Sequence, residues 1–422
     1  MTGPVEGEAL EGEAGEGGPA RALPLAGVRV LEFCQTIMGP TAGLVMADLG
    51  ADVVKVEPAP GGDKTRRLSG FAAGFFAGFN RNKRSIALDL KSDAGRAAAH
   101  RLVAKADVVL ENYAPGTMVK LGCGYADLKA VNPRLIFCSL KGFLSGPYET
   151  RLALDEVVQF MAGMSYMTGP PGRPLRAGAS VIDIMGGSYA VIGILCALRE
   201  REATGRGQFV KSALFESTAF LMTQHLAGEV VTGRETPPMP ARQGAWAVYE
   251  TFETRDDRHV FIGVTSDNHW RRFRDRFGLE HLADDPEFAT NESRVAARPR
   301  LLPMVAEIAQ AHDHDALLAI LEEIGVPFSP VARPTDLFDD PQLNAGGRML
   351  PVTMPNGRTA KLPRLPIEVG GHDLGLRRQP PRVGENTVEV LVEAGFTPDE
   401  IAGLAAEGAV LQGEEKTEGK AS

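Results

Sequence analysis

Residues 27–58 read GVRVLEFCQTIMGPTAGLVMADLGADVVKVEP, and this stretch decides the fold. It holds two β-branched runs, VRVLEF at 28–33 and DVVKVE at 52–57, on either side of an alanine- and glycine-rich helical segment. Similar runs follow as DVVLEN at 107–112 and RLIFCSL at 134–140, separated by amphipathic helical stretches. Strands that alternate with helices predict parallel pairing through right-handed crossovers. The sequence therefore predicts an α/β fold with an open, doubly wound sheet.

The length and composition predict how the rest of the chain is organised. Its 422 residues suffice for roughly two to three domains at about 150 residues each. Residues 1–22, an acidic Glu- and Gly-rich stretch, and 409–422 are predicted to be disordered tails, because they cannot bury enough apolar surface to offset the entropy of ordering. Residues 23–224 carry the predicted sheet. A smaller α+β domain is predicted at 225–330, with proline-rich linkers at 236–240 and 327–334.

The charge balance limits the kind of partner. The chain carries 54 Asp and Glu against 45 Lys and Arg, a net charge of -9. A general binder of nucleic acid or of an anionic membrane would present a basic stripe, so the composition argues against both partners. Five Glu lie in the N-terminal tail, which leaves the folded part nearer neutral. A phosphorylated cofactor that meets a local basic site therefore remains compatible with the sequence.

Cysteine usage and apolar segments indicate a cytoplasmic location. Cys34, Cys123, Cys138 and Cys196 lie far apart with no CxxC pair, which predicts reduced thiols and no metal site. The N-terminus lacks the basic start and apolar stretch of an export signal. The most apolar segment, Gly186–Leu198, is shorter than the ~20 residues that cross a bilayer, so we expect no membrane span.

Ligands of an open parallel sheet bind outside the carboxyl ends of its strands. The segments that follow the predicted strands are Cys34–Pro40, Glu57–Asp63, Asn112–Gly116 and Lys141–Gly146. A second feature is the run NRNKRS at 80–85, which is either a solvated turn or a cluster that docks a phosphate. Likewise, Tyr113 either stacks on a purine or packs at a strand end.

Two carboxylates stand out in the segment from 151 to 187, which reads RLALDEVVQFMAGMSYMTGPPGRPLRAGASVIDIMGG. Asp183 lies among apolar residues and glycines, where burial would raise its affinity for a proton and suit it to act as a nucleophile or base. The alternative is that Asp183 caps a helix that begins near Gly186. Asp155 is the second acid of the segment.

These motifs in this order resemble the family III CoA transferases, also called the CaiB/BaiF family. The motifs that carry the resemblance are the stretch 27–58, NKRSIALDL, ADVVLENYAPG, NPRLIFCSLKGFLSGP, TGPPGRP and TGRGQFV. The similarity spans roughly residues 25–395. The resemblance implies a Rossmann-like large domain completed by residues 331–408 and a homodimer interlocked like two chain links. It also implies acyl-CoA and a small carboxylic acid as substrates, with no permanently bound cofactor. An aspartate of the enzyme is then expected to attack the thioester.

The resemblance also assigns the residues that contact CoA. By position these are Gln35, Thr36, Ile37, Lys83, Arg84, Asn112, Tyr113, Lys120 and Lys141. Most of them follow the predicted strand ends, so the family and the sheet rule indicate the same edge.

The family offers more than one position for the nucleophile. The turn that carries it in formyl-CoA transferases has Gly172 here, whereas the mesaconyl-CoA C1–C4 CoA transferases resemble this chain around SVIDIMGG, which indicates Asp183. Related α-methylacyl-CoA racemases pair an Asp with a His, and that position is Leu154 here. A racemase needs an acid and a base, so the loss of the His argues against racemisation. We therefore expect Asp183 as the nucleophile, with Asp155 as second candidate or orienting group.

The acyl group is expected to be a dicarboxylate. Arg173 and Arg176 lie between the two acids in sequence and could each hold a distal carboxylate in a bidentate contact. With the mesaconyl-type Asp, they favour a C4 or C5 dicarboxylate such as mesaconate or succinate, and the transfer is either intermolecular or intramolecular. The alternatives are an acyl-CoA isomerase or racemase of the same superfamily, or a CoA-binding protein without transferase activity.

Overall fold

The computed structural model describes residues 21–241 and 244–413, which form two compact units. One unit comprises the described residues up to 236 together with those from 343 onward, and the other comprises residues 237–342. The smaller domain was expected at 225–330, so its expected boundaries lay at 225 and 331. The first falls inside the helix Thr223–Thr232, which the structure keeps in the first unit.

The strands of the described residues are, in chain order, β1 Arg29–Phe33, β2 Asp52–Pro58, β3 Arg84–Leu88, β4 Val108–Glu111, β5 Ile136–Lys141, β6 Phe209–Ala213, β7 Val248–Glu253, β8 His259–Val264, β9 Phe328–Pro330, β10 Met349–Thr353, β11 Thr359–Pro363 and β12 Val410–Leu411. The helices are α1 Met38–Asp48, α2 Phe75–Phe79, α3 Asp93–Val103, α4 Thr117–Lys120, α5 Tyr125–Val131, α6 Asp155–Met161, α7 Met164–Thr168, α8 Val181–Thr204, α9 Leu214–Leu221, α10 Thr223–Thr232, α11 Asp267–Arg276, α12 Asn291–Ala296, α13 Arg298–Gln310, α14 His314–Glu323, α15 Pro341–Asn344, α16 Thr387–Glu393 and α17 Pro398–Ala406.

The first unit contains a seven-stranded sheet in the order β12-β3-β2-β1-β4-β5-β6. Its neighbouring strands run parallel, except that β12 pairs antiparallel with β3. The predicted α/β fold with a mainly parallel sheet is therefore confirmed. From β1 the strand order proceeds outward in both directions, so the gap between β1 and β4 is the topological switch point, where ligands of such sheets bind.

Two apolar cores cover the two faces of this sheet. Successive residues of β1 point to opposite faces, so Val30 and Leu31 belong to different cores. Helices α1 and α8 pack on the face of Val30, whereas α3, α5, α16 and α17 pack on the face of Leu31. This arrangement is the doubly wound packing that the alternation of strands and helices predicts.

Helix α8 differs from its expected form. It has 24 residues and begins at Val181, five residues before the expected start near Gly186. The helix is long and apolar enough to cross a membrane by length and composition, which corrects the expectation that this segment is too short. Ile182, Ala190 and Ile194 are nevertheless buried in the core of the sheet. A Cβ on Gly187 would lie 2.5 Å from the carbonyl oxygen of Met38, so this glycine lets α8 pass close to the start of α1.

Two segments expected to lack regular structure contain strands. Val410 and Leu411, inside the predicted tail 409–422, form the edge strand β12, because they pair with Leu88 and Ala87 of β3. Strand β9 lies in the predicted linker 327–334 and pairs with β8. Residues 1–20 and 414–422 of the predicted tails lie outside the described residues.

The second unit has an antiparallel sheet in the order β7-β8-β9. Helices α11, α13 and α14 contribute Trp270, Phe273, Leu301 and Leu317 to its apolar core. The hairpin β10–β11 belongs to the first unit.

Candidate active site

A cavity of about 330 Å³ opens at the carboxyl ends of β1, β4 and β5. It therefore lies at the topological switch point of the sheet. The expected site residues that line it are Thr36, Ile37, Asn112, Tyr113, Lys141, Asp155, Arg176 and Asp183. Both candidate acids and most of the expected CoA contacts thus meet in one place.

The loop after β1 is held in a strained conformation. Thr36 has a φ of 69°, which is uncommon for a β-branched residue. Asn112 binds both backbone groups of Gln35, since its Oδ1 accepts the N–H at 2.9 Å and its Nδ2 donates to the carbonyl at 2.7 Å. Lys55 Nζ donates to the carbonyl of Cys34 at 2.7 Å. These contacts fix the backbone at the wall of the cavity, so strain is retained where a ligand would be held.

Asp155 uses its carboxylate to hold the start of α8. Its Oδ2 accepts the backbone N–H of Ile182 at 2.8 Å and that of Asp183 at 3.0 Å. Its Oδ1 accepts the side-chain amide of Gln159, whose own carbonyl accepts the N–H of Ala177 at 2.9 Å. Asp155 therefore satisfies free N–H groups of the first turn of α8, as a capping residue would, while Ser180 at the N-cap makes no side-chain cap.

Asp183 lies in the first turn of α8, and its carboxylate lines the cavity. The alternative that it caps the helix is wrong, because the helix begins two residues before it. Among the described residues we find no hydrogen bond or ion pair to this carboxylate. Burial and the neighbouring charge of Asp155 raise the pKa of Asp183 to about 7, while Arg176 acts in the opposite direction. Of the two acids, Asp183 is therefore the one whose carboxylate has no partner among the described residues.

The basic residues of the cavity differ in their partners. Lys141 Nζ contacts Glu111 Oε2 at 2.6 Å and the carbonyl of Tyr113. Arg176 is paired with Glu156. Arg151, which the sequence analysis did not select, also lines the cavity, with its guanidinium 4.4 Å from the ring centre of Tyr148. Its position in the connection that follows β5 is the signal that could have identified it.

Lys83 and Arg84 do not line this cavity, so their contact with CoA stays a prediction. The Lys83 side chain is fully buried, and its Nζ contacts Glu32 Oε2 at 2.7 Å and the Pro40 carbonyl at 2.9 Å. Arg84 lies at the amino end of β3, where it pairs with Asp52 and Glu393. Residues 80–85 are buried, so they do not form a solvated turn, and their docking of a phosphate stays a prediction.

Three further expected residues do not line the cavity. Lys120 is exposed at the end of α4, and Arg173 is exposed in the turn after α7. Gln35 contributes backbone groups to the clamp with Asn112. Within 21–241 and 244–413 no group of three or more His, Cys, Asp or Glu is placed to hold a metal ion.

Comparisons with known proteins show the family to which the chain belongs. The model of CoA-transferase family III matches residues 25–387. The succinate–glutarate CoA-transferase of Agrobacterium fabrum is 34% identical over 89% of this chain and 96% of its own. The succinyl-CoA:mesaconate CoA-transferase of Haloarcula marismortui is 34% identical over 87% of this chain and 96% of its own. A CaiB/BaiF family protein from Brucella suis has a crystal structure that matches with a TM-score of 0.80 and 36% identity, over 89% of this chain and 100% of that one. The chain belongs to CoA-transferase family III and is a CoA-transferase.

Proposed function

We propose that this enzyme moves CoA between short dicarboxylic acids of four or five carbons, with Asp183 as the nucleophile. The observation that carries the proposal is the contrast between two acids in one cavity. Asp155 is engaged by backbone N–H groups, whereas the Asp183 carboxylate faces the cavity without a partner among the described residues. The dicarboxylate substrate is supported by the relatives named for succinate, glutarate and mesaconate, and by two arginines in the cavity wall.

The reaction then follows from a carboxylate that attacks a thioester. An Asp183 oxygen bonds to the acyl carbon, and CoA leaves as a thiolate, which gives an acyl-aspartyl anhydride. The thiolate attacks the Asp183 carbonyl and releases the first acid, leaving an aspartyl-CoA thioester. The acceptor carboxylate attacks this thioester and again releases CoA thiolate. That thiolate takes the new acyl group from the second anhydride, which restores Asp183.

The cavity offers less support for racemisation. Leu154 lines it at the position where the related racemases carry a His, so this position supplies no proton. An assay in deuterated water separates the two reactions, because racemisation places solvent deuterium on the α-carbon without moving CoA to another acid.

Two further features belong to the proposal. We propose an interlocked homodimer, by analogy with the family. We also propose a cytoplasmic enzyme, because the four cysteines are free thiols.

The test is product analysis by mass spectrometry, with succinyl-CoA as donor and isotope-labelled succinate, glutarate and mesaconate as acceptors. We expect CoA transfer by the wild-type enzyme and a loss of at least about 10³-fold in kcat for Asp183→Asn, which removes the attacking oxygen. Hydroxylamine added during turnover should leave a hydroxamate on the peptide that contains Asp183. Full activity of Asp183→Asn, or a hydroxamate at Asp155, would refute the assignment.

Asp155→Asn is the matched control, because an amide oxygen can still accept the N–H groups of α8. We expect it to keep the hydroxamate at Asp183, with a smaller loss of kcat than in Asp183→Asn.

A further inference from the structure

Of the described residues that line the cavity, one arginine has no ionic partner. Among the described residues, Arg176 is neutralised by Glu156 and Lys141 by Glu111. Arg151 makes no ion pair within that part of the chain, and its recorded side-chain contact is the face of the Tyr148 ring. An anionic group that enters the cavity can therefore pair with Arg151 without breaking an existing ion pair.

The backbone around Arg151 holds it at the cavity wall. Its N–H donates to the carbonyl of Tyr148 at 2.9 Å, which closes a turn after β5. Two residues later Ala153 packs so tightly on Gly142 that a Cβ there would collide with the Ala153 side chain. This contact ties the turn to the end of β5, beside Lys141.

The contact with Tyr148 suits Arg151 to bind a carboxylate. A guanidinium that lies over an aromatic face keeps the N–H groups along its edge available, and two parallel N–H groups match the two oxygens of a carboxylate. The stacked ring also limits the rotamers of the arginine, so less entropy is lost when the ligand binds.

We infer that Arg151, rather than Arg173 or Arg176, binds the distal carboxylate of the acyl group and so determines the preference for dicarboxylates. The inference rests on the proposed function. The substrate is then bound by Arg151, which has no ionic partner among the described residues, while Arg176 holds Glu156 at the start of α6.

The test compares acids of equal length with one or two carboxylates. The acceptors are isotope-labelled succinate, whose transfer from unlabelled succinyl-CoA can be followed by mass, and butyrate, then glutarate and pentanoate, each at a fixed concentration of succinyl-CoA. For Arg151→Gln we expect kcat/KM to fall about 10- to 100-fold for both dicarboxylates, mainly through KM, because a charged hydrogen bond is lost. Values for the monocarboxylates should stay within about twofold, and Arg151→Lys should recover part of the loss.

Arg206→Gln is the matched control, since Arg206 is exposed, makes no recorded side-chain ion pair in the described residues and lies outside the cavity. We expect it to change none of the four values. Arg176→Gln separates the two cavity arginines, and a dicarboxylate preference that collapses there but survives in Arg151→Gln would overturn the inference.

The remaining outcomes are also decisive. An equal loss for all four acids in Arg151→Gln would show a structural role and overturn the inference. A wild-type enzyme that transfers CoA to none of them would instead refute the proposed dicarboxylate function, and the role of Arg151 with it. Unchanged dicarboxylate preference in Arg151→Gln would refute the role of Arg151 alone.

Discussion

Charged residues are arranged differently at the two ends of the strands of the large sheet, here called the amino edge and the carboxyl edge. At the amino edge Arg29 pairs with Asp52 and Glu393, and Arg84 pairs with the same two carboxylates and with Glu389. At the carboxyl edge Asp183 and Arg151 lack ionic partners within the described residues. Charged side chains that pair with one another, here called closed networks, serve stability. Charged side chains in a cavity that have no ionic partner among the described residues, here called open charges, are available to a substrate.

A third set of charges lies beneath the carboxyl edge. Lys55 contacts Glu32 at 3.1 Å and Asp63 at 2.9 Å, and Lys83 contacts Glu32 at 2.7 Å, with all four side chains nearly or fully buried. Burial lowers the pKa of Lys83 to about 8, although Glu32 opposes this shift. Burial also acts to lower the pKa of Lys55, but Glu32 and Asp63 hold it above its ordinary value. This cluster supports the strained loop after β1 through Lys55.

Lys83→Met tests whether Lys83 belongs to the closed networks, and we expect it to have the largest effect. The substitution leaves Glu32 with one cation instead of two in a fully buried position. We expect the free energy of unfolding in urea to fall by about 3–5 kcal/mol, the usual cost of removing one partner of a buried ion pair.

The control is Lys120→Met, at an exposed position on α4. We expect it to leave the free energy of unfolding unchanged within about 0.5 kcal/mol. If Lys83→Met were as stable as the wild type but had a raised KM for acyl-CoA, Lys83 would be a cofactor contact after all.

Asp183→Asn should stabilise the protein above neutral pH. Because the folded state raises the pKa of Asp183 to about 7, this carboxyl favours folding in its protonated form. Its contribution is complete below the unfolded pKa near 4 and is lost as the pH rises through about 7. Allowing for partial solvent exposure, we expect Asp183→Asn to gain about 2 kcal/mol at pH 8.

The measurement is urea denaturation at pH 8 and at about pH 4, where the difference between the two proteins should largely disappear. Ser188→Ala, on the exposed side of α8, is a control without a charge change. Equal stability of Asp183→Asn and the wild type at pH 8 would mean that the Asp183 carboxylate has a partner.

Asp155→Asn tests how the two acids are coupled. Asp155 is a cause of the raised pKa of Asp183, second to burial, so removing its charge should lower that pKa. Since the nucleophile must be ionised, kcat/KM should rise with pH through about 7 in the wild type. In Asp155→Asn we expect this rise to shift to lower pH by about one unit. A rise that stays in place would show that Asp155 acts on Asp183 only through the backbone of α8.

The fold followed from the sequence wherever local pattern was sufficient. The alternation of β-branched runs such as β1 with helical stretches such as α1 predicted the parallel sheet, because these periodic patterns are local. Strand β12 was missed, since two residues carry no periodicity and their strand state depends on pairing with β3. The start of α8 was missed for a similar reason. The first turn of this helix is held by Asp155, which lies 26 residues before Val181 in the sequence.

Part of the site was predictable from the positions of the strand ends. The rule that ligands bind beyond the carboxyl ends of the strands and the family resemblance both indicated Asn112 and Tyr113, and these residues do line the cavity. The burial of the basic run at 80–85 was not predictable, because sequence alone does not show that Asp48, Glu32 and Asp52 lie opposite its charges. Arg151 was overlooked for the converse reason, since the absence of an ionic partner is visible only in three dimensions.

Arg84→Gln should have the smallest effect, and it tests the amino edge directly. Arg84 itself is buried, but its partners are partly exposed, with 34% of the Asp52 side chain and 35% of the Glu393 side chain accessible. Both carboxylates keep Arg29 and solvent as partners when Arg84 is lost. We therefore expect a loss of about 1 kcal/mol in the free energy of unfolding, well below that of Lys83→Met.

The KM for acyl-CoA should stay within about twofold of the wild type in Arg84→Gln, because this edge lies at the opposite end of the strands from Asp183. A KM that rose about tenfold with unchanged stability would place the cofactor at the amino edge, and the contrast between closed and open charges would then no longer locate the active site.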